Sequence, residues 1–135
     1  MLPGSTNLDL SAPPPSRRLR VLVVDDEPSI CQVIALHLED EGHEVHTAPD
    51  GIRGLERFVG ERWDLVLTDW VMPGMKGDEL ADAIKRINPK MPVVLVTGFA
   101  DRLTQSGRQD SPFDLIVRKP FTRETLKAAL NLVCV

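Results

Sequence analysis

Acidic side chains that could react or bind a cation stand just after two apolar runs. Val21–Val24 is followed by Asp25 and Asp26, and Leu65–Leu67 is followed, after one residue, by Asp69. A short apolar run bounded by turn residues is typical of a strand buried on both faces. Open parallel sheets bind ligands just beyond the carboxyl ends of their strands. The three carboxylates are therefore candidates for one site, although an Asp in such a place also commonly only begins a turn.

A hydroxyl and an ammonium follow two later apolar runs. Thr97 comes directly after Val93–Val96, and Lys119 comes shortly after Leu115–Val117. Crowded carboxylates are costly to ionise unless a cation offsets them, and Mg²⁺ with oxygen ligands is the simplest such cation. A carboxylate nucleophile, a metal and an ammonium together suit a phosphoryl group. Taken alone, each residue also has a purely structural interpretation. Asp25 and Asp26 could stabilise the start of a helix, Thr97 could be a turn residue, and Lys119 could be a surface lysine.

Strands and helices that must position these side chains alternate along the chain. Strands are predicted at Val21–Val24, Glu44–Ala48, Trp63–Thr68, Val93–Val96 and Leu115–Val117. Helices are predicted with the buried faces Ile30, Val33, Ile34 and Leu38; Ile52, Leu55 and Val59; Leu80, Ile84 and Ile87; and Leu126, Leu130 and Val133, with a short helix at 101–107. Asp50 and Thr122 are expected to be N-caps. This alternation predicts an α/β fold, a parallel sheet with helices on both faces.

Composition excludes several classes of protein. The 135 residues are enough for one domain with a real core, and the formal net charge of −4 offers no basic surface for nucleic acid. No apolar run is long enough to span a membrane, and the N-terminus has no export signal, which favours the cytoplasm. Cys31 and Cys134 are expected to be free thiols. His43 and His46 lack a third ligand, so we do not expect a metal there.

The first residues differ in composition from the rest. Residues 1–16 carry four prolines, including Pro13–Pro15, among Ser and Asn. We interpret residues 1–18 as a disordered, Pro-rich arm and residues 19–135 as the folded domain. A partner-docking motif in the arm is the less favoured alternative.

The polar residues at the strand ends also carry a resemblance. Four short motifs follow one another along the chain: Asp25-Asp26 within Asp-Asp-Glu-Pro, Asp69 within Asp-Trp-Val-Met-Pro, Thr97 within Val-Thr-Gly and Lys119 within Lys-Pro-Phe. The same motifs occur in this order in the receiver domain of two-component response regulators. The chain resembles that family over roughly residues 19–135. The resemblance implies a flavodoxin-like fold of five parallel strands in the order 2-1-3-4-5.

The resemblance also implies roles for the site residues. Asp69 would accept the phosphoryl group, Thr97 would donate its hydroxyl to one phosphoryl oxygen, and Lys119 would pair with another. The Lys119-Pro120 peptide bond is expected to be cis.

A Mg²⁺ site is implied in the same way. Asp26 would bind the ion directly and Asp25 largely through water. Asp69 and the backbone carbonyl of Val71 would complete the protein ligands.

The function implied is a phosphorylation-dependent switch rather than an enzyme with turnover. The phosphoryl group would come from a sensor histidine kinase or a phosphotransfer protein, and a monomer or weak dimer would signal by contact with a downstream protein. Three alternatives stay open: an unphosphorylated pseudo-receiver, a fragment of a larger regulator or hybrid histidine kinase, and a haloacid dehalogenase-type hydrolase. The hydrolase needs Asp-x-Asp, whereas Asp25 and Asp26 are adjacent.

Two departures from the family pattern concern how a signal would leave the site. Ile116 stands where the family usually has an aromatic residue on strand five, and the chain has no Tyr. The stretch Gln105–Phe113 lacks the family's small-residue pattern. We therefore expect phosphorylation to act mainly by ordering or re-docking residues 98–112, with Ile116 serving mostly in packing.

Overall fold

The computed structural model describes residues 17–98 and 111–134. The strands are β1 Arg20–Val24, β2 Glu44–Ala48, β3 Leu65–Thr68, β4 Val93–Thr97 and β5 Leu115–Arg118. The helices are α1 Pro28–Asp40, α2 Gly51–Gly60, α3 Gly77–Ile87 and α4 Arg123–Val133. Most of the predicted arm, the predicted helix at 101–107 and nearly all of the segment 98–112 lie outside the described residues.

The five strands form one sheet in the order β2-β1-β3-β4-β5, and every neighbouring pair is parallel. This confirms the predicted order 2-1-3-4-5. Val24 pairs with Ala48 on one side and with Thr68 on the other. Because the pairing keeps the last residues of β1, β2 and β3 level, the residues that follow them emerge at the same edge of the sheet.

Helices cover both faces of the sheet, as predicted. On one face α1 and α4 pack their buried residues, among them Ile34 and Leu126, against Val21 and Val23 of β1. On the other face α2 and α3 pack Phe58 and residues such as Leu80 against alternate sheet positions. Successive side chains along each strand point to opposite faces of the sheet and pack in both layers. The central strands are therefore apolar along nearly their whole length.

The predicted buried faces of three helices need correction. In α2, Ile52 and Val59 are exposed, and the buried residues are Gly51, Gly54 and Phe58. A Cβ at Gly54 would lie 2.7 Å from a methyl carbon of Val24, so the glycine side of the helix lies directly against the sheet. The bulky residues on the other side face solvent instead.

Smaller corrections concern α1, α3 and the bounds of four strands. Val33 of α1 and Ile87 of α3 are also exposed, since each lies at the margin of its predicted stripe. Trp63 precedes β3 rather than belonging to it, although its side chain is buried, and β4 extends to Thr97. By one residue each, β1 begins earlier, at Arg20, and β5 ends later, at Arg118. These changes leave the order of elements unaltered.

Local contacts account for the ends of the helices. The Asp50 carboxylate accepts from the backbone N–H of Arg53 at 2.8 Å, and Thr122 accepts from that of Thr125 at 3.1 Å, so both predicted N-caps are confirmed. Gly42 follows α1 with φ +94°, a conformation that favours glycine.

Both histidines considered as metal ligands have protein partners. His43 is buried, and its Nδ1 accepts from the backbone N–H of Leu19 at 3.0 Å. The ring nitrogens of His46 lie 2.6 Å from Glu44 and 2.8 Å from Arg57. A metal pair at these positions is therefore not supported.

Both cysteines, Cys31 and Cys134, are free and buried, as expected. In the described parts of the chain, no helix has the length and apolarity needed to cross a lipid bilayer.

Candidate functional site

The sheet ladder itself delivers three of the predicted residues to one edge. The backbone N–H of Asp25 donates to Ala48 of β2 at 3.2 Å, and that of Asp69 donates to Val24 of β1 at 2.9 Å. The backbone N–H of Lys119 donates to Thr97 O at 3.0 Å. Each site residue thus continues the hydrogen bonding of its strand by one step, which fixes its position relative to the neighbouring strand.

Lys119 brings the acids of this edge together. Its Nζ lies 3.1 Å from Asp25 Oδ2, 3.6 Å from Asp69 Oδ2 and 3.7 Å from Glu27 Oε1. Asp25 is 2% exposed and Asp69 is 8% exposed, so both carboxylates lie inside the protein surface. A buried carboxylate needs a cationic partner, and in this structure the ammonium provides it.

The charges at the site perturb one another's ionisation. Burial raises the pKa of Asp69, and the negative charge of Asp25 raises it further. Burial also raises the pKa of Asp25, against the lowering effects of the Glu27 N–H and Lys119. Burial alone would lower the pKa of Lys119, but Asp25 and Asp69 reverse the effect and hold it above its ordinary value. The site has an excess of negative charge that favours binding of a further cation.

Three carboxylates have the arrangement of a metal-binding group. One ligand oxygen from each of Asp25, Glu27 and Asp69 lies within 4.8 Å of the others. All donors are oxygens of hard carboxylates, the chemistry that Mg²⁺ prefers, so these residues fit the expected ion. Asp26, predicted as the direct ligand, is exposed and is not part of this group, and its ligand role stays a prediction.

Glu27 is the residue that the sequence reading missed. It follows the acidic pair directly, and its backbone N–H donates to Asp25 Oδ1 at 2.9 Å. This short turn holds the Glu27 side chain close to the other two acids. The signal for it in the sequence is the third consecutive acid before Pro28.

A tight loop after β3 holds the predicted phosphoacceptor. Asp69 Oδ1 accepts from the backbone N–H of Trp70 at 2.8 Å, and Thr68 Oγ1 donates to Asp69 O at 2.8 Å. The loop closes where the N–H of Gly77 donates to Trp70 O at 2.8 Å. One oxygen of Asp69 is thereby tied to the backbone, and the other, Oδ2, faces Lys119.

The remaining predicted residues lie in or next to β4 and β5 and in the loop after β3. Thr97 is fully buried as the last residue of β4, opposite Arg118. Val71, whose carbonyl is the expected metal ligand, is 52% exposed in the loop after Asp69, and its ligand role stays a prediction. The Lys119-Pro120 bond is cis, as expected. Ile116 is 41% exposed on the edge strand β5, so it packs only in part.

Comparison with known proteins agrees with this geometry. The family model described as "Response regulator receiver domain" matches residues 21–131. The chain is 32% identical over 112 residues to the response regulator ArlR of Staphylococcus saprophyticus, covering 83% of this chain and 50% of that protein. It is 37% identical over 109 residues to the nitrogen assimilation regulatory protein NtrX of Azorhizobium caulinodans, covering 78% of this chain and 24% of that protein.

Solved structures give the same result for the fold. The response regulator protein TrrA of Thermotoga maritima, solved in complex with Mg(2+)-BeF, superposes with a TM-score of 0.78 at 33% identity. The match covers 85% of this chain and 98% of that one. The chain spans about half or less of the length of the curated relatives named above.

Proposed function

Because this chain belongs to the response regulator receiver domain family, we propose that it is a phosphorylation-dependent switch whose phosphoacceptor is Asp69. The observation that carries the proposal is the placement of a buried carboxylate, Asp69, within 3.6 Å of the Lys119 ammonium and beside Asp25. A nucleophile in that setting meets the cationic groups that a phosphoryl transfer requires.

In the proposed reaction, Asp69 Oδ2 attacks the phosphorus atom of a donor. With a phosphohistidine donor, the P–N bond breaks, its electron pair returns to the imidazole nitrogen, and that nitrogen takes up a proton. The Trp70 N–H holds the other oxygen of Asp69 at 2.8 Å and so limits rotation of the nucleophile. Pre-orientation of this kind lowers the entropic cost of the attack.

Lys119 and Thr97 supply the remaining contacts in the proposal. The Lys119 ammonium moves from the acids to a phosphoryl oxygen, where its positive charge offsets charge that develops during transfer. The Thr97 hydroxyl donates to another phosphoryl oxygen from the end of β4. Both roles follow from the family resemblance and from the shared edge of the sheet.

Asp25, Glu27 and Asp69 would hold Mg²⁺, which supplies charge neutralisation for the phosphoryl oxygens when bound. In this proposal Asp26 stays the direct ligand that the family resemblance implies, and Glu27, with an oxygen within 4.8 Å of those of Asp25 and Asp69, is a further candidate ligand. The Val71 carbonyl is retained as a candidate ligand.

The proposed partners follow from the family. The donor is a sensor histidine kinase or a phosphotransfer protein in the cytoplasm, and the output is contact with a downstream protein or with a further domain of a longer regulator. The part-length match to the curated relatives supports the second form of output.

Incubation with acetyl phosphate and Mg²⁺, followed by intact mass measurement, tests the proposal. The wild type should gain the mass of one phosphoryl group, whereas Asp69→Asn should gain none. Asp40→Asn, the same change at the exposed end of α1, is the matched control and should behave as the wild type. Equal gain in Asp69→Asn would show another acceptor, and no gain in the wild type would favour a pseudo-receiver.

A further inference from the structure

A groove with a mixed apolar and polar lining lies at the end of the molecule opposite Asp69, and its polar side is formed by Glu61, Arg62 and Asn88. It is formed by the C-terminal ends of α2 and α3 and by the residues that precede β3 and β4, and its volume is about 440 Å³. Phe58, Trp63 and Met91 form buried parts of its wall. Val59 and Ile87 stand on its rim and are 61% and 55% exposed. Exposed apolar side chains on the rim of a concavity with an aromatic wall make this groove a candidate docking surface.

The chain enters the fold beside this groove. Arg17 Nη1 lies 3.8 Å from Asp64 Oδ1, and the backbone N–H of Arg20 donates to Asp64 Oδ2 at 2.8 Å. Asp64 follows Trp63, and the guanidinium carbon of Arg20 lies 4.5 Å from the centroid of the Trp63 ring. Both Asp64 oxygens therefore hold residues 17–20 next to the wall of the groove.

We propose that the groove is the docking site for residues 1–16 of the same chain. This segment contains Pro13–Pro15 directly before its point of attachment, three leucines further back, and Asp9 as its one ionisable side chain. Extended proline-rich segments pack on grooves lined by aromatic residues with little loss of conformational entropy. A segment with one charged side chain also incurs little desolvation cost when it covers an apolar surface.

The length and attachment of the segment select this groove. At about 3.1 Å per residue, the four residues 13–16 extend roughly 12 Å from Arg17, so the triplet lies within reach of Trp63 and the leucines within reach of the rim. The two most exposed large apolar side chains among the described residues, Leu36 of α1 and Leu132 of α4, are 66% and 68% exposed on the outer sides of their helices. Isolated exposed side chains of that kind are ordinary on a protein surface.

A spin label at Ser5→Cys in the full chain tests the contact. Cys31 and Cys134 are buried, and burial raises the pKa of each thiol to about 11, so they react slowly with the label at neutral pH. Docking predicts paramagnetic loss of the methyl signals of Val59 and Ile87, with those of Leu36 and Leu132 retained. Deleting residues 1–16 should shift the same Val59 and Ile87 signals.

Matched variants separate specific docking from mere proximity. Ile87→Glu places a charge on the exposed rim and should abolish the loss at Val59, and Val59→Glu should act in the same way at Ile87. Leu132→Glu, the same change on the opposite face, should leave the pattern intact. All three should still gain the phosphoryl mass, because none lies at the strand ends that carry Asp69, so this proposal and the proposed function fail separately.

Several outcomes would overturn the proposal. One is a diffuse loss of methyl signals that Ile87→Glu does not change. The others are a loss concentrated around Leu132 and no loss of signal at all. Transfer of the effect to an unlabelled chain in a mixed sample would also overturn it, because the occupant would then be a second copy.

Discussion

Replacing Gly77 by alanine tests the close approach between the start of α3 and the loop that carries Asp69. A Cβ at Gly77 would collide with the carbonyl oxygen of Asp69 and would lie 3.0 Å from the Asp69 carbonyl carbon and from Trp70 Cα. All three are backbone atoms, so no side-chain rotation relieves the clash. The loop has to move, and the bond from the Gly77 N–H to Trp70 O, 2.8 Å long, is lost or lengthened.

The cost follows from these two effects. Overpacking a close-packed site costs about 1–3 kcal/mol, and a buried N–H deprived of its partner adds about 1 kcal/mol. The free energy of unfolding of Gly77→Ala should therefore fall by about 2–4 kcal/mol, with a fall in Tm of roughly 6–20 °C for a domain of this size. Displacement of Asp69 should also slow its phosphorylation by acetyl phosphate by about tenfold or more.

Urea denaturation and intact mass time courses measure both quantities. Gly60→Ala is the matched control, because a Cβ at Gly60 meets no atom within 4 Å, and its stability should stay within about 1 kcal/mol of the wild type. If Gly77→Ala unfolds at the same urea concentration as the wild type and accepts the phosphoryl group at the same rate, the close approach does not position Asp69.

Three further predictions concern charge. Millimolar Mg²⁺ should raise Tm, because it binds acids that repel one another in the native state, and Asp25→Asn should remove most of that rise in a thermal scan. Glu27→Gln should weaken Mg²⁺ binding about two- to tenfold, or about 0.4–1.4 kcal/mol, in a fluorescence titration; equal weakening in the control Glu39→Gln would mean that only net charge matters. Burial lowers the pKa of His43 below 6.5, so its contribution to stability is complete above about pH 6.5 and is lost as the pH falls toward the folded-state value. His43→Asn should reduce the loss of urea stability between pH 7.5 and pH 5 by up to about 1.4 kcal/mol per pH unit; an unchanged loss would refute this assignment.

Much of the architecture was predictable because its signals are local. Apolar runs bounded by turn residues located four strands, and the alternation of polar and apolar residues located Glu44–Ala48. The caps Asp50 and Thr122 marked two helix starts. Parallel strands place their carboxyl ends at one edge, so the shared location of Asp25, Asp69 and Lys119 followed from the order of elements. The sequence pattern by itself therefore determined the α/β alternation and the shared edge of these residues, whereas the strand order was implied by the family resemblance.

Tertiary packing decided what local patterns leave open. Ile52 and Val59 are the more hydrophobic choice for the buried side of α2, yet Gly51 and Gly54 occupy it, because only glycine admits the helix so close to Val24 and Met75. Adjacent acids are equivalent in a sequence, and only the turn after β1 places a Glu27 oxygen within 4.8 Å of those of Asp25 and Asp69. Both outcomes depend on distances between segments remote in the chain, which a local pattern does not encode.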